Sequence, residues 1–265
     1  MSLIPIFTGG NNFIATGGTT YTQGGYKYHK FTSDGTFTVV SGSRTLEYLV
    51  VAGGGSGGVS ANGFTGNSQY TSSGGGGGGG VVNSTYQSFS LSITVGDGGS
   101  AFGTANGGDS TILTIPGGMG SPALVAQAIG GGYGATGQAN AVVGGSGGGG
   151  SVKFDGTTQT RYTAANGTVS QGNAGAASAT DLGGGGGGSA AVASGITGGA
   201  GLTTFTTWWD ASAPAQIGKG GNGDVGGLTG AANTGNGGGG SRSASNALGA
   251  PGSGGSGIVI IRYAV

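Results

Sequence analysis

The sequence predicts an all-β protein in which a small antiparallel β-module scaffolds a bundle of polyglycine-II helices, with connecting loops and essentially no α-helix. Glycine supplies 73 of the 265 residues and occurs in uninterrupted blocks. Several other segments alternate apolar and polar residues with the period of a strand. Collagen is excluded, because glycine does not recur strictly at every third position and there are only 5 Pro. Disorder is disfavoured, because the net charge is zero and 2 Trp, 9 Tyr and 9 Phe are spread along the chain.

The first element is the N-terminal β-module, residues 1–52, which holds only a small share of the glycines but many of the aromatic residues. The segments 26–32 and 36–40 flank the turn-forming residues 33–35, Ser-Asp-Gly. This arrangement predicts a β-hairpin. A third strand is predicted at 46–51, where apolar residues dominate.

The second element is the glycine-rich domain, residues 53–265, which we expect to form one continuous structural unit with the module. Two strands are predicted within it, at 86–95 and 257–263, and the short segment 121–129 is predicted to be a strand rather than a helix. The rest consists of polar loops between glycine blocks, namely Gly53–Gly55, Gly74–Gly80, Gly147–Gly150, Gly183–Gly188 and Gly237–Gly240.

A glycine block must be stabilised through its peptide groups, because glycine buries no side chain and loses the most backbone entropy on ordering. In the polyproline-II conformation there are three residues per turn and no internal hydrogen bonds. Every N–H and C=O therefore points sideways and must pair with a neighbour if it is buried. Because no Cβ intervenes, such helices can pack side by side. The pure blocks Gly74–Gly80 and Gly183–Gly188 are predicted to be central in the bundle.

Helices at the edge of the bundle can carry one larger residue in every three, all on the outward face. The segment 252–257 fits this period through Ser253 and Ser256, and the segment 218–223 fits it through Lys219 and Asn222. We therefore expect these two segments to be edge helices with outward-facing side chains.

Composition also removes most function classes. There is no Cys and a single His, His29, which excludes thiolate metal sites, cysteine catalysis and most hydrolase triads. The motif Gly54–Gly58 matches the serine-nucleophile pattern, but no helix follows it, and the stretch 220–224 resembles a calcium-binding repeat that does not recur. We expect no enzyme activity, no metal and no cofactor, and a surface or strand-packing role for His29.

The charge balance and the apolar segments limit the expected partners and location. With eight residues of each charge, nothing steers the chain toward nucleic acid or an anionic membrane. No segment approaches the ~20 apolar residues of a membrane span, and the first residues do not read as a signal peptide. The chain is therefore expected to be synthesised in a cytoplasm and to remain soluble.

Five segments together carry a resemblance to a known family. The residues 12–19, 26–39, 49–55, 90–99 and 254–263 resemble the glycine-rich domain of bacteriophage tail-fibre and other virion proteins. The glycine blocks are also similar to those of the distal adhesin on the long tail fibres of T-even-type phages. In that adhesin, polyglycine-II helices are sandwiched into a rigid tip whose loops touch the host receptor. This chain departs from it in having no separate attachment domain ahead of the glycine region.

The resemblance implies a location in the virion, at a tail fibre or its tip. It also implies contacts with other virion or tail-fibre proteins and a homo-oligomer, commonly a trimer. A phage protein is released by lysis, so it needs no signal peptide.

If the tip interpretation holds, the receptor surface lies in the longer loops between glycine blocks. Aromatic and arginine side chains dominate binding hot spots. Three loops, 59–73, 151–182 and 202–217, carry such residues. Trp208 and Trp209 are the strongest candidates, with one ring expected to anchor the loop and the other to be displayed. In the alternative interpretation, the rings fold back as local mini-cores over the glycine bundle. The candidate receptor-binding residues are Phe64, Tyr70, Lys153, Phe154, Arg161, Tyr162, Phe205, Trp208, Trp209 and Asp210.

The leading hypothesis is therefore a non-enzymatic phage tail-fibre or tip protein, an adhesin that binds an outer-membrane protein or polysaccharide on a bacterial surface. The alternative is a purely structural virion or filament component without a receptor. An ice-binding bundle ranks last, because its flat face of regularly spaced Thr is not evident. An adhesin should gather its aromatic loops at one end, whereas a structural component should bury them between subunits.

Overall fold

The computed structural model of the chain describes residues 12–60, 69–87, 89–116, 120–210, 213–224, 226–244 and 249–265. These residues contain two 3₁₀ turns, Ala101–Gly103 and Thr206–Trp208, and no α-helix, so the prediction of an all-β protein is confirmed. The strands are β1 Ile14–Thr16, β2 Thr19–Gln23, β3 Tyr26–Phe31, β4 Gly35–Ser41, β5 Thr45–Val51, β6 Tyr70–Ser72, β7 Val81–Gln87, β8 Leu91–Thr94, β9 Ser110–Thr114, β10 Leu124–Ala128, β11 Ser151–Phe154, β12 Gln159–Tyr162, β13 Arg242–Ala244 and β14 Ile258–Ala264.

Two five-stranded antiparallel sheets form one end of the molecule, which we call the β-base. Their strand orders are β1-β4-β8-β9-β10 and β2-β3-β14-β5-β7. Strand alternation directs one face of each sheet into a shared apolar core. Phe37, Leu91 and Ile112 of the first sheet pack there with Val50 and Ile261 of the second.

The hairpin predicted at 26–40 is wrong, because both strands form but they do not pair with each other. Strand β3 pairs with β2 and β14, and strand β4 pairs with β1 and β8. The turn carries the chain from one sheet to the other, because Phe31 and Phe37 both have to face the core between the sheets. The segment 86–95 likewise divides into parts of β7 and β8, which belong to different sheets. The strands predicted at 46–51, 121–129 and 257–263 are confirmed.

The block Gly74–Gly80 is the centre of a polyglycine-II bundle. The N–H groups of residues 74, 77 and 80 donate to the segment 129–135, those of 75 and 78 to residues 184–187, and those of 76 and 79 to residues 235–238, at 2.7–3.0 Å. Its carbonyls accept hydrogen bonds from three further segments, namely 52–58, 146–149 and residue 221. Partners that repeat every third residue mark a helix of three residues per turn with six neighbours.

The block Gly183–Gly188 is also central, as predicted. All six glycines are buried. They donate to residues 147–150, to residues 191–195 and to Gly221, and they accept from residues 75–78, from Ala176 and from Gly199. A third central segment, 52–58, was not singled out by its sequence because Ser56 interrupts it. Ser56 is accommodated because its Oγ accepts a hydrogen bond from the Ala105 N–H at 3.1 Å.

The predicted edge helices keep their period of three, but most of their larger side chains do not face open solvent. Lys219 is exposed, whereas Asn222, Ser253 and Ser256 are half-buried. Their oxygens accept hydrogen bonds from the N–H groups of residues 198, 101 and 233, respectively. The expectation that they all face outward is therefore corrected, because these side chains bind neighbouring segments of the bundle.

The bundle lies between the β-base and a smaller sheet. Near the base, Ala52 follows β5, Gly80 precedes β7 and Gly257 precedes β14. At the opposite end, four strands form an antiparallel sheet in the order β12-β11-β6-β13, which we call the far sheet. At ~3.1 Å per residue, a seven-residue glycine helix spans about 22 Å. The bundle therefore holds the far sheet at about that distance from the β-base.

Candidate binding surface on the far sheet

A short hairpin builds one half of the far sheet. Strands β11 and β12 pair antiparallel, with Phe154 opposite Gln159. In the connecting turn, Asp155 Oδ1 accepts hydrogen bonds from the N–H groups of Thr157 at 2.9 Å and Thr158 at 2.7 Å, as in an Asx turn. These bonds, first that of Thr158, hold the pKa of the Asp155 carboxyl below its ordinary value.

The other half of the far sheet brings in a residue from a distant part of the chain. Strand β6 pairs with β11, which places Tyr70 opposite Phe154. The centroids of these two rings are 5.5 Å apart and the rings are inclined by 31°. The guanidinium of Arg242, on β13, lies 5.6 Å from the Tyr70 centroid and pairs with Asp224 at 3.2 Å.

A loop lies across this same face and completes the surface. Arg161 Nη1 donates to the carbonyls of Ser178 at 2.8 Å and Ala179 at 3.1 Å. Gln159 Nε2 donates to Asp181 Oδ1 at 3.1 Å, and the Tyr70 hydroxyl donates to the same oxygen at 2.5 Å. We call this set the Tyr70 face; its members are Tyr70, Phe154, Gln159, Arg161, Asp181 and Arg242.

The Tyr70 face combines an aromatic pair with fixed polar groups. Loss of contact with water, and then the hydrogen bond to Asp181, raise the pKa of Tyr70, so the phenol remains a protonated donor at neutral pH. Gln159, Arg161 and Asp181 are exposed. Because each side chain already has a partner within the protein, a ligand would meet them in a preorganised arrangement.

The structure brings together five of the predicted site residues at the far sheet. Tyr70, Phe154 and Arg161 share the Tyr70 face, whereas Lys153 and Tyr162 are half-buried on the opposite face of the sheet. Phe64, the remaining candidate from the loop 59–73, lies outside the described residues.

The other predicted group, in the loop 202–217, lies at the β-base. Trp208 and Trp209 are only 6% and 5% exposed. With the partly buried Phe205, they pack on the outer face of the sheet β2-β3-β14-β5-β7. Asp210 pairs with Lys30 of that sheet at 2.6 Å.

The expectation that one indole is displayed is therefore wrong. A sheet face that carries Leu49, Ile258 and Ile260 needs an apolar cover, and the loop 202–217 supplies it. The Trp208 ring also receives the Arg262 guanidinium at 4.0 Å. In this loop the rings fold back onto the protein, as the alternative interpretation expected. They pack over the β-base, however, rather than over the glycine bundle.

Sequence reasoning missed four members of the site region, namely Gln159, Asp181, Asp224 and Arg242. For Asp181, Asp224 and Arg242 the usable signal was a position within two residues of a glycine segment, whereas Gln159 lies on β12, which pairs with the strand that follows Gly147–Gly150. Straight glycine helices of similar length can emerge only at the two ends of the bundle, so residues that flank their ends converge there.

The two residues considered for catalysis, His29 and Ser56, are both buried within the fold. His29 is fully buried between the two sheets of the β-base, with Nδ1 2.7 Å from the Gly17 carbonyl. Burial lowers its pKa, and its strand-packing role is confirmed. Ser56 is also fully buried, inside the glycine bundle.

Among the described residues, no cluster of three or more His, Cys, Asp or Glu side chains could hold a metal ion. Within the same part of the chain, no helix is long and apolar enough to cross a membrane.

Comparison with known proteins identifies the class. The family described as "Glycine-rich domain" matches residues 31–264, and the chain therefore belongs to this family. The match runs from the last residue of β3 through the glycine bundle and the far sheet to the end of β14, and it leaves out β1 and β2 of the β-base. A comparison with curated proteins gives no match.

Proposed function

We propose that this glycine-rich protein is a bacteriophage tail-fibre tip protein, an adhesin without enzymatic activity that binds a bacterial surface receptor through the Tyr70 face. One observation carries the proposal. Segments far apart in the sequence, around Tyr70, Phe154 and Asp181, meet at the far sheet, where the two rings are half-buried and Asp181 is exposed. A glycine bundle separates that surface from the β-base.

The glycine bundle suits a display role. Each central glycine helix is bonded to its neighbours on all sides, so its ends cannot move independently. A surface held in this way loses little conformational entropy when it binds a partner. Loops built on a rigid scaffold commonly carry binding residues.

The chemistry of the Tyr70 face suits recognition of an exposed macromolecule. Tyr and Arg are over-represented at binding hot spots, where an aromatic ring supplies apolar area and a polar group fixes orientation. The expected receptor is an outer-membrane protein or a surface polysaccharide. Attachment to other tail-fibre proteins is then expected at the β-base, which leaves the far sheet free in the virion.

The test is binding of the labelled, purified protein to a panel of bacterial strains. Saturable binding to a few strains is expected, with Tyr70→Ala weakening it at least about tenfold, the effect of losing one hot-spot residue. Phe102→Ala is the matched control, because Phe102 is an aromatic residue with 67% exposure outside the far sheet. It should bind as the unmodified protein does.

Two outcomes would contradict the proposal. Equal loss in both variants, or undiminished binding by Tyr70→Ala, would remove the receptor site from the Tyr70 face. Absence of saturable binding to every strain, with assembly that buries the far sheet between subunits, would favour the alternative of a purely structural virion or filament component.

A further inference from the structure

A groove runs along one side of the glycine bundle. It has a volume of about 300 Å³ and is lined by residues of three segments, 219–222, 228–231 and 236–239. The last segment joins the other two, because its N–H groups donate to the carbonyls of Lys219 at 2.8 Å and Leu228 at 2.7 Å. The groove therefore lies between three segments that already belong to the bundle.

The hydrogen bonds of the bundle indicate what this position lacks. The central helix Gly74–Gly80 has six neighbours, and those that accept from it alternate around it with those that donate to it. The segment 236–240 lies beside this helix and has the same period of three, but among the described residues it has only five neighbours. These are the segments 219–222, 228–231 and 252–255, together with Gly55 and Gly76. The vacant sixth position lies between the first two segments, where the groove is.

The Gly237 carbonyl is an acceptor that points into the vacant position. The segment 236–240 has carbonyls in three directions, as any helix of three residues per turn does. One direction receives the Gly76 N–H and a second receives N–H groups of the segment 252–255. The third is that of Gly237, which is buried and lines the groove, and whose carbonyl accepts no hydrogen bond from the described residues. Because buried carbonyls are nearly always paired, this one calls for a donor from outside the bundle.

The Asn222 N–H is a donor that points into the same position. The N–H groups of Gly220 and Gly221 donate to other segments of the bundle, whereas that of Asn222 donates to none of the described residues. Asn222 lines the groove, and the N–H one turn earlier, that of Lys219, donates at 2.9 Å to Oδ1 of Asn236 in the groove wall. The vacant position therefore offers both an acceptor and a donor.

We propose that the groove binds an extended glycine-rich segment of another protein, which becomes the sixth neighbour of the segment 236–240. A helix of three residues per turn repeats its N–H and C=O groups with the period of the groove walls, and only a face without Cβ atoms can approach those walls closely. Lys219 is exposed and is the one charged residue among the described residues that line the groove, so the bound segment should carry acidic side chains on its outward edge. A second copy of this chain is not the expected occupant, because its long blocks Gly74–Gly80 and Gly183–Gly188 are buried in its own bundle.

A peptide titration followed by NMR of the full chain tests the groove. The probe is a peptide of four Gly-Gly-Glu repeats, which confines its side chains to one edge of a helix with three residues per turn. The amide signals of 219–222, 228–231 and 236–239 should shift in a saturable manner, that of Asn222 included. For so small a contact the dissociation constant should be about 0.1–1 mM.

Two further peptides separate the backbone contacts from the charge. Four Ala-Ala-Glu repeats have the same charge and length, but their additional Cβ atoms meet the groove walls, so they should bind at least about tenfold more weakly. Four Gly-Gly-Gln repeats lose only the exposed pairing with Lys219 and should bind about two- to fivefold more weakly. Equal binding of the Gly-Gly-Glu and Ala-Ala-Glu peptides would overturn the proposal.

A variant of the protein closes the groove without replacing a buried residue. Thr229 is exposed and lines the groove, so Thr229→Trp should fill it with an indole ring and abolish the shifts. Thr22→Trp, at an exposed position on β2, is the matched control and should bind the peptide as the unmodified protein does. Undiminished binding by Thr229→Trp, or the absence of shifts at every concentration of the Gly-Gly-Glu peptide, would contradict peptide binding in the groove.

The same spectra distinguish this site from other associations. If the groove amides shift with protein concentration in the absence of peptide, a second copy occupies the groove and the choice of another protein is wrong. No residue of the Tyr70 face lines the groove, so Thr229→Trp should still bind bacterial cells as the unmodified protein does. Failure of the groove and failure of the receptor site are therefore observed separately.

Discussion

Replacing Gly77 with Ala should disrupt the glycine bundle at its centre. A Cβ on residue 77 would lie 2.1 Å from the carbonyl oxygen and 2.6 Å from the carbonyl carbon of Ser146. Because these are backbone atoms, relief requires the segment 146–149 to move away by about 1 Å. Two hydrogen bonds join this segment to the central helix, from the Ser146 N–H to Gly78 and from the Gly149 N–H to Gly75.

The expected cost follows from those two bonds. Each bond leaves a buried N–H and a buried C=O unsatisfied when it breaks, at about 1–3 kcal/mol per group. With four groups at the low end of that range, the free energy of unfolding should fall by roughly 4 kcal/mol. This is a large part of the ~5–15 kcal/mol that stabilises a typical protein. Calorimetry should find the Tm lowered by about 10 °C.

A matched glycine provides the control. Gly195 has φ +53 and open space around its Cβ position, so Gly195→Ala should cost only the backbone strain of about 1–2 kcal/mol. Urea denaturation that finds Gly77→Ala no more destabilising than Gly195→Ala would contradict this expectation.

Three further predictions concern the β-base. Burial lowers the pKa of His29, so the unfolded chain takes up this proton more readily. The contribution of neutral His29 to the free energy of unfolding should be fully present above about pH 6.5. Below that pH, the free energy of unfolding should fall as the pH drops toward the folded-state pKa, by up to ~1.4 kcal/mol per pH unit. Urea denaturation from pH 4.5 to 7.5 should find that slope reduced in His29→Gln, and an unchanged slope would contradict the assignment. Trp208→Ala should destabilise the fold by about 3–5 kcal/mol but leave cell binding by the folded protein intact; weaker binding at matched folded fraction would contradict it. Glu47→Gln removes a partly exposed ion pair with Arg262 and should cost only about 1 kcal/mol; a loss above ~3 kcal/mol would count against that estimate.

The glycine bundle was predictable because helices without side chains can pack closely enough for their peptide groups to bond to one another. Seven consecutive glycines have no side chains to pack, so their buried N–H and C=O groups must bond sideways, and the structure has this arrangement for Gly74–Gly80. The central place of Gly183–Gly188 followed from the same reasoning. Segment 52–58 escaped prediction because the sequence gives no indication that the Ser56 hydroxyl would find an N–H partner within the bundle.

Neither the pairing of the strands nor the burial of the aromatic residues in the loops could be predicted from the sequence. The turn at residues 33–35 has the same local chemistry whether the chain returns in one sheet or crosses to another. Which of these occurs depends on β14, more than two hundred residues later. The burial of Trp208 and Trp209 likewise depends on an apolar sheet face assembled from distant strands. Tyr70 and Phe154 lie at the far sheet because their strands lie beyond the glycine bundle, away from the β-base, but both rings are half-buried against each other.

Hydrogen–deuterium exchange in the presence of outer-membrane vesicles from a bound strain tests the central claim most directly. We expect slower exchange at residues 69–72, 151–162 and 178–182, which form and surround the Tyr70 face, and no change at the β-base. Protection confined to the β-base, or spread evenly over the chain, would contradict receptor binding at the far sheet.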